Sequence, residues 1–333
     1  MIKSIRFQNF KALRDATLPL GPFTLIVGPN GSGKSTAVQA FSFGSSYDYK
    51  RLDDWVTVGA EVSSEVAVHF NWQMDGNEFI TSVGLKKEFS PVKLGTLPMR
   101  NNLSAIRPPF LGYEGFRVFS FEANAIAKPV MTSPNPQLEQ DGSNLAAVLD
   151  GLRDSDPERL EEMNRELNRW LPEFDRILLA TPEEGKKSFA LRTSVGHFRL
   201  PASELSQGVL LALAFLAVVY APNPPSIVCF EEPDRGIHPR LFVDIRDAMY
   251  RLAFPENYGE KRKSVQVIAT THSPYLLDLY KEHPEQIVIA HKDEQGVHFE
   301  RLSEKPHIDE ILESAPLGDI WYSGILGGVP SAP

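Results

Sequence analysis

The sequence predicts an α/β fold on a largely parallel sheet, and three observations predict it. An apolar run, Phe23-Thr24-Leu25-Ile26-Val27, enters a glycine-rich loop, and a helix-compatible stretch from Lys34 to Phe43 follows. From residue 203 onward the pattern alternates between helix and strand, and such alternation builds parallel sheets covered by helices. The first 90 residues are otherwise rich in strand patterns, which adds an antiparallel part to a mixed sheet.

Each element has a local reason. Residues 2–7 alternate with period two, 16–20 form a second short strand, and 23–27 form a buried one. Residues 62–72 and 78–83 flank Gln73-Met74-Asp75-Gly76-Asn77, and an Asp-Gly between two strand patterns signals a hairpin. From about 90 to 135, Pro108-Pro109 and Pro129 interrupt regular structure. Ser155-Asp156-Pro157-Glu158 starts a helix with a capping side chain and a proline in the first turn, and Leu160, Met163, Leu167 and Leu171 then share one face. Two short strands are expected at 176–180 and 188–191. The second block follows: helix 207–220, strand 227–230, helix from about 239 to 252, and strand 265–270. The segments divide as 1–90 with the glycine-rich loop, a helical and irregular lobe over 91–205, and 206–333 completing one composite domain.

Composition narrows the class. A chain of 333 residues with 42% hydrophobic content can bury a large core. The charged, alternating N-terminus is unlike a signal peptide, and the longest apolar run, 209–220, is too short to span a bilayer. The expectation is a cytoplasmic protein without membrane contact. A net charge of −9 argues against a broad basic surface, so DNA contact would need a local patch. Lys261-Arg262-Lys263 and Lys86-Lys87 are short and read as solvated faces. The lone Cys229 lies in an apolar run and is expected to pack as a small hydrophobe.

Residues 28–36, Gly28-Pro29-Asn30-Gly31-Ser32-Gly33-Lys34-Ser35-Thr36, satisfy G-x-x-x-x-G-K-[ST] between a strand and a helix. Backbone N–H groups turning inward on an anion need positive φ and no β-carbon in the way, hence the glycines. Lys34 would reach the β- and γ-phosphates of a nucleoside triphosphate, Ser35 would offer a hydroxyl to Mg2+, and the helix N-terminus would favour the anion.

The second half supplies acids and an imidazole. Ser226-Ile227-Val228-Cys229-Phe230 ends in Glu231-Glu232. In open α/β sheets ligands lie beyond the carboxyl ends of strands, so the pair would face the nucleotide if this strand neighbours the phosphate-loop strand. Glu231 would hold Mg2+ and Glu232 would position the attacking water. His272 tips the next strand pattern, 40 residues after Glu232, where it can donate to a γ-phosphate oxygen or that water. Leu205-Ser206-Gln207-Gly208 precedes the apolar helix. It reads either as an N-cap followed by a tolerated glycine, or as a second phosphate surface in which Ser206 and Gly208 meet a nucleotide held by another subunit.

These motifs in this order resemble the ATPase heads of the ABC and SMC superfamily, over nearly the whole chain. The branch is similar to stand-alone bacterial SMC-like ATPases of the AAA family, relatives of the OLD and RecF heads. Its residues include Ile5-Arg6-Phe7-Gln8-Asn9-Phe10-Lys11, Glu232-Pro233-Asp234 with His238-Pro239, Thr271-His272-Ser273-Pro274, and Leu317-Gly318-Asp319-Ile320-Trp321. The resemblance implies ATP with Mg2+, a homodimer closed around two ATP molecules, and phosphate contacts from Asn30 and Lys11. Three departures stand out. Glu231 occupies an aspartate position, which implies slow hydrolysis. The Leu-Ser-Gln-Gly-Val signature keeps only the serine and the second glycine. Gln137 and Gln140 are both candidates for the glutamine that couples the γ-phosphate to the helical lobe.

The expectation is therefore an ATP-binding and hydrolysing head that dimerises on ATP and gates a partner, in DNA repair or anti-phage defence. One alternative is a nucleotide-gated interaction module with negligible turnover; another is a RecF-like DNA-binding protein. The 61 residues after His272 are too few for an appended nuclease domain, so a nuclease or other effector is expected as a separate subunit.

Overall fold

The computed structural model describes residues 1–43, 66–74, 76–85, 95–98, 115–294 and 296–326. In chain order the strands are β1 (Ile2–Phe10), β2 (Leu13–Pro19), β3 (Phe23–Val27), β4 (Val66–Met74), β5 (Asn77–Leu85), β6 (Gly95–Pro98), β7 (Phe116–Phe119), β8 (Val130–Met131), β9 (Phe174–Glu183), β10 (Lys186–Thr193), β11 (Arg199–Pro201), β12 (Ile227–Glu231), β13 (Gln266–Thr271), β14 (Ile287–Asp293) and β15 (Gly296–Arg301). The helices are α1 (Lys34–Phe43), α2 (Ala123–Ile126), α3 (Leu145–Ser155), α4 (Pro157–Trp170), α5 (Gln207–Val219), α6 (Phe242–Ala253), α7 (Pro274–Asp278), α8 (Ile308–Ser314) and α9 (Leu317–Tyr322). The chain divides into two compact units, 1–118 with 226–231 and 266–333, and 119–225 with 232–265. This partition differs from the segments 1–90, 91–205 and 206–333, because 226–231 and 266–333 fall with the N-terminal part.

The first unit holds two sheets. One runs β2-β1-β4-β5-β6, antiparallel at every pairing. Its β1 has a register shift between Ile2 and Ser4. Such a bulge adds one residue on the same face, and it is why Ile2, Ile5 and Phe7 are all buried despite the odd step from 2 to 5. The β4–β5 strands close up to a Met74–Asn77 pair, leaving a two-residue turn with Gly76 at φ 78°. The pairing thus runs past 72 and 78 to Met74 and Asn77, and β5 continues to Leu85 rather than ending at 83. Residues 62–65, Asp75, Lys86-Lys87 and Pro108-Pro109 lie outside the described residues.

The other sheet runs β15-β14-β3-β13-β12-β7. Its β14, β3, β13 and β12 are mutually parallel, while β15 is antiparallel to β14. The expected parallel core is present within a mixed sheet. Phe7, Phe10 and Phe70 of the first sheet, Ala37, Val38 and Phe41 of α1, and Ile26, Cys229, Ile268 and Val288 of the second share one hydrophobic cluster. At about 25 cal/mol per Å2 of apolar surface, each such large side chain contributes roughly 1.5–3 kcal/mol, and together they fix α1 between the sheets. Cys229 is fully buried, and burial first, then the Glu231 charge, pushes its thiol pKa well up.

The second unit surrounds a smaller sheet, β11-β10-β8 with β9 paired to β10. Asp156 caps α4, its carboxylate accepting from Arg159 N at 3.2 Å, with Pro157 in the first turn. Leu160, Met163, Leu167 and Trp170 of α4 are buried together with Asn164, whose Oδ1 accepts from Ile177 N of β9 at 2.9 Å. α5 is apolar and buried on every face from Val209 to Val219, as expected of a helix hydrophobic all round. The helix expected from about 239 begins as a 3-10 turn, Pro239–Leu241, before α6. α3 has no counterpart in the sequence reading, although Leu145, Leu149 and Leu152 are buried along it.

Candidate functional site

In the first unit the glycine-rich loop joins β3 to α1. Gly28 is buried, and a β-carbon there would stand 2.3 Å from Ala290 O of β14 and 2.7 Å from Ser32 Oγ. Gly31 and Gly33 have φ of 79° and 88°, a region L side chains rarely occupy. Gly33 is further walled by Val297 and Leu13, about 3 Å from a hypothetical β-carbon. The loop is thus a cradle whose shape excludes side chains at 28 and 33. Ser32 Oγ is buried inside it with no hydrogen-bond partner, and a buried hydroxyl left so is costly unless a ligand completes it.

Lys34, 6% exposed, folds its ammonium back to donate to Gly28 O at 2.6 Å and Pro29 O at 3.0 Å. Ser35 is exposed on the first turn of α1, Thr36 is half-buried, and Asn30 is exposed at the loop tip. Lys11, at φ 50° in the tight β1–β2 turn, donates through Nζ to Gln39 Oε1 of α1 at 2.8 Å. Its side chain therefore reaches the helix behind the loop.

Strand register places the other groups of this unit. Val27 pairs with Thr271, so His272 directly follows the residue level with the last residue before the loop. Thr270 pairs with both Ile26 and Glu231. On the side toward β12 the neighbour of the loop strand is therefore β13. β12 lies one strand further, about 10 Å from β3 at ordinary strand spacing. The condition that the acidic strand adjoin the loop strand is corrected on this point: the imidazole strand intervenes. Glu231 is half-buried and His272 exposed. Glu232, the next residue along the chain and the point at which the second unit resumes, has φ 48°, and its carbonyl accepts from Arg235 N at 2.9 Å; a non-glycine residue held there stores about 1–3 kcal/mol of strain and is characteristic of functional turns.

In the second unit, Ser206 is the N-cap of α5, its hydroxyl accepting from Val209 N at 3.4 Å. A β-carbon on Gly208 would stand 3.2 Å from Gly236 O, and one on Gly236 would stand 2.6 Å from Gln207 Nε2. The Leu205–Gly208 segment thus packs tightly on the 234–236 turn, with Ser206 exposed. Gln137 and Gln140 are both exposed; Gln137 O accepts from Asn144 Nδ2 and Gln140 O from Ser120 N. Of the basic run 261–263, Arg262 closes the ends of two helices, donating to Val219 O at 2.7 Å and Arg251 O at 2.9 Å.

Sequence reasoning missed β14 and β15, which wall the loop through Ala290 and Val297. The available signal was the apolar run Ile287-Val288-Ile289-Ala290 with Gly296 after a polar turn.

A strand, a glycine cradle and a buried lysine opening a helix define a P-loop nucleotide-binding domain. The family model described as "AAA domain, putative AbiEii toxin, Type IV TA system" matches residues 23–278, and the chain belongs to that family, an ATPase type of domain. The chain is 23% identical over 368 residues to an OLD nuclease of Thermus scotoductus, covering 96% of this chain and 68% of that protein. Among solved structures it is similar to an SMC head domain from Thermotoga maritima (18% identity, TM-score 0.49, 90% of this chain and 98% of the other). It is also similar to the recombination mediator protein RecF (14% identity, TM-score 0.47, 82% and 92%). Among the described residues no helix is long and apolar enough to cross a membrane.

Proposed function

We propose that this protein binds MgATP in the 28–36 cradle, hydrolyses it, and dimerises around two nucleotides to gate a partner. The observation that carries this reading is the level register of Glu231, Thr270 and Ile26 on adjacent parallel strands, beyond which the glycine loop, His272 and the second acid follow in sequence. Lys34, already buried and aimed at loop carbonyls, transfers its hydrogen bonds to the β- and γ-phosphates. Ser32 Oγ gains an acceptor or donor it otherwise lacks. Glu232 orients the attacking water and His272 donates to the γ-phosphate, a division of labour suited to phosphoryl transfer, where positioning and charge stabilisation dominate.

The donor set fits Mg2+. Ser35 would offer a hydroxyl and Glu231 a carboxylate, hard oxygen donors of the kind Mg2+ favours. Among the described residues no three His, Cys, Asp or Glu side chains group into a metal cage. When bound, Mg2+ neutralises charge on the β- and γ-phosphates. Ser206 and Gly208 serve the nucleotide of a second subunit. A separate effector or nuclease is the partner, in an anti-phage defence or repair setting, and a cytoplasmic location goes with it.

The test is Lys34→Ala against Glu232→Gln. The first is expected to abolish nucleotide binding, and the second to keep ATP bound and trap the dimer. Both variants hydrolysing like the parent would overturn the assignment. A second reading, a nucleotide-gated module with negligible turnover, is favoured by Glu231 standing one methylene longer than aspartate; tight ATP binding with phosphate release no faster than buffer selects it.

A further inference from the structure

His272 sits in a two-residue link between β13 and α7, and that link is built to be stiff. Thr271, fully buried, accepts at Oγ1 from Ser273 N at 2.9 Å. Ser273 caps α7 by accepting at Oγ from Leu276 N. Tyr280, just past α7, stacks on Phe23 at the start of the loop strand, ring centroids 5.3 Å apart. How far the N-terminal turn of α7 is pushed toward the His272 end also depends on what packs against Pro274.

The C-terminal segment supplies that contact. Gly318 N donates to Asp278 Oδ1 at 2.7 Å, and Lys281 Nζ donates to Ala315 O at 3.1 Å. On the other side of the same glycine, a β-carbon would meet Pro274 O at 2.6 Å and Pro274 Cβ at 2.8 Å. α9 thus holds α7 at both ends through one residue: backbone against backbone at Pro274, two residues from His272, and a hydrogen bond at Asp278. Leu317 and Ile320 anchor α9 by being buried, so the glycine approaches on a rigid support.

We propose that α9 is a brace for the His272 turn, with Gly318 and Asp278 as positioning residues that set where the imidazole stands. The inference deepens the ATPase reading and rests on it for its kinetic consequence. Gly318→Ala would force the Pro274 carbonyl outward by several tenths of an ångström, and misplacement on that scale is amplified in a positioned proton donor. Asp278→Ala releases the other end of α7 without adding bulk. Asp278→Asn keeps an accepting oxygen at the same place.

The experiment has two readouts. Steady-state ATP hydrolysis is measured for the parent, His272→Ala, Gly318→Ala, Asp278→Ala, Asp278→Asn and the Asp278→Ala/His272→Ala double variant. The brace predicts that Asp278→Ala and Gly318→Ala lower kcat about tenfold or more with KM for ATP nearly unchanged, and that Asp278→Asn restores kcat to within about twofold. Asp278→Ala adds nothing in the His272→Ala background, since residues acting as a unit are non-additive. The second readout is the ring signal of His272 in histidine-labelled protein, assigned by its loss in His272→Ala. It should shift or broaden in Asp278→Ala and stay in place in Asp278→Asn. A parent protein that does not hydrolyse ATP sinks the ATPase reading alone, and the ring signal then decides the brace. An unmoved ring signal in Asp278→Ala, or full additivity with His272→Ala, overturns the brace. Where Gly318→Ala fails to fold, the Asp278 pair carries the test.

Discussion

The carbonyl oxygen of Ala290 stands 2.3 Å from the point a β-carbon on Gly28 would occupy, so the glycine at the mouth of the loop is dictated by the strand beside it. Gly28→Ala must push β3 and β14 apart at a place where Ile287 pairs with Leu25 and Ile289 with Val27. Overpacking of this kind costs about 1–3 kcal/mol. Gly31→Ala is the control: nothing lies within 4 Å of its β-carbon position, so only the positive φ is penalised, by about 1 kcal/mol. Urea unfolding of both variants checks this, and a Gly28→Ala protein as stable as Gly31→Ala would refute the crowding argument.

Gln266 ties the imidazole-bearing strand to the chain start. Its amide accepts from Ile2 N at 2.8 Å and donates to Ile2 O at 2.7 Å and Gly21 O at 2.9 Å, at a buried position. Gln266→Leu has nearly the same bulk but orphans those backbone groups, at about 1–3 kcal/mol for each one left buried and unpaired. The expected result is a markedly lower urea midpoint with an unchanged m-value; a midpoint at the parent value would show that water replaces the amide.

What the sequence made legible were elements whose evidence is local. The loop strand, α1, α4 with its Asp156 cap and the apolar α5 each announce themselves within a dozen residues, and the glycine signature reports its own φ requirements. Neighbour relations were not legible. That β13 rather than β12 flanks the loop strand, or that Ala290 explains Gly28, depends on pairings between segments more than 200 residues apart. The same holds for Lys11, whose partner Gln39 lies on a different element, and for Arg262, which looked like one cation of a basic run and serves two helix ends. Ser206 marks the limit, because a cap and a phosphate ligand ask for the same hydroxyl at the same helix end.

His291 and His298 are cross-strand partners on the hairpin that walls the loop, ring centroids 5.4 Å apart. Burial, then His298 and Lys305, lower the His291 pKa from its ordinary 6.5, against smaller opposing effects of Glu300 and Asp293. Below about pH 6.5 the unfolded chain takes up a proton that the folded His291 resists, so the unfolded state binds more protons and stability falls with falling pH. Above that value the contribution is fully present. His291→Gln should therefore lose less stability than the parent between about pH 7.5 and 5.5, the window in which histidine titrates; parallel pH profiles of the urea midpoint would remove His291 as the cause.

Ser206 can be separated into its two possible duties by two substitutions. As the N-cap of α5 its oxygen accepts from Val209 N. Ser206→Ala should cost about 1 kcal/mol, whereas glycine at an N-cap costs only a few tenths. Ser206→Gly thus keeps most of the helix stability while removing the hydroxyl. Dimerisation with ATP, followed by light scattering in the Glu232→Gln background, then discriminates. If the hydroxyl meets the nucleotide of a second subunit, Ser206→Gly and Ser206→Ala both lose the ATP-dependent dimer despite their different stabilities. If capping is its whole role, dimerisation tracks stability, and the glycine variant assembles like its parent.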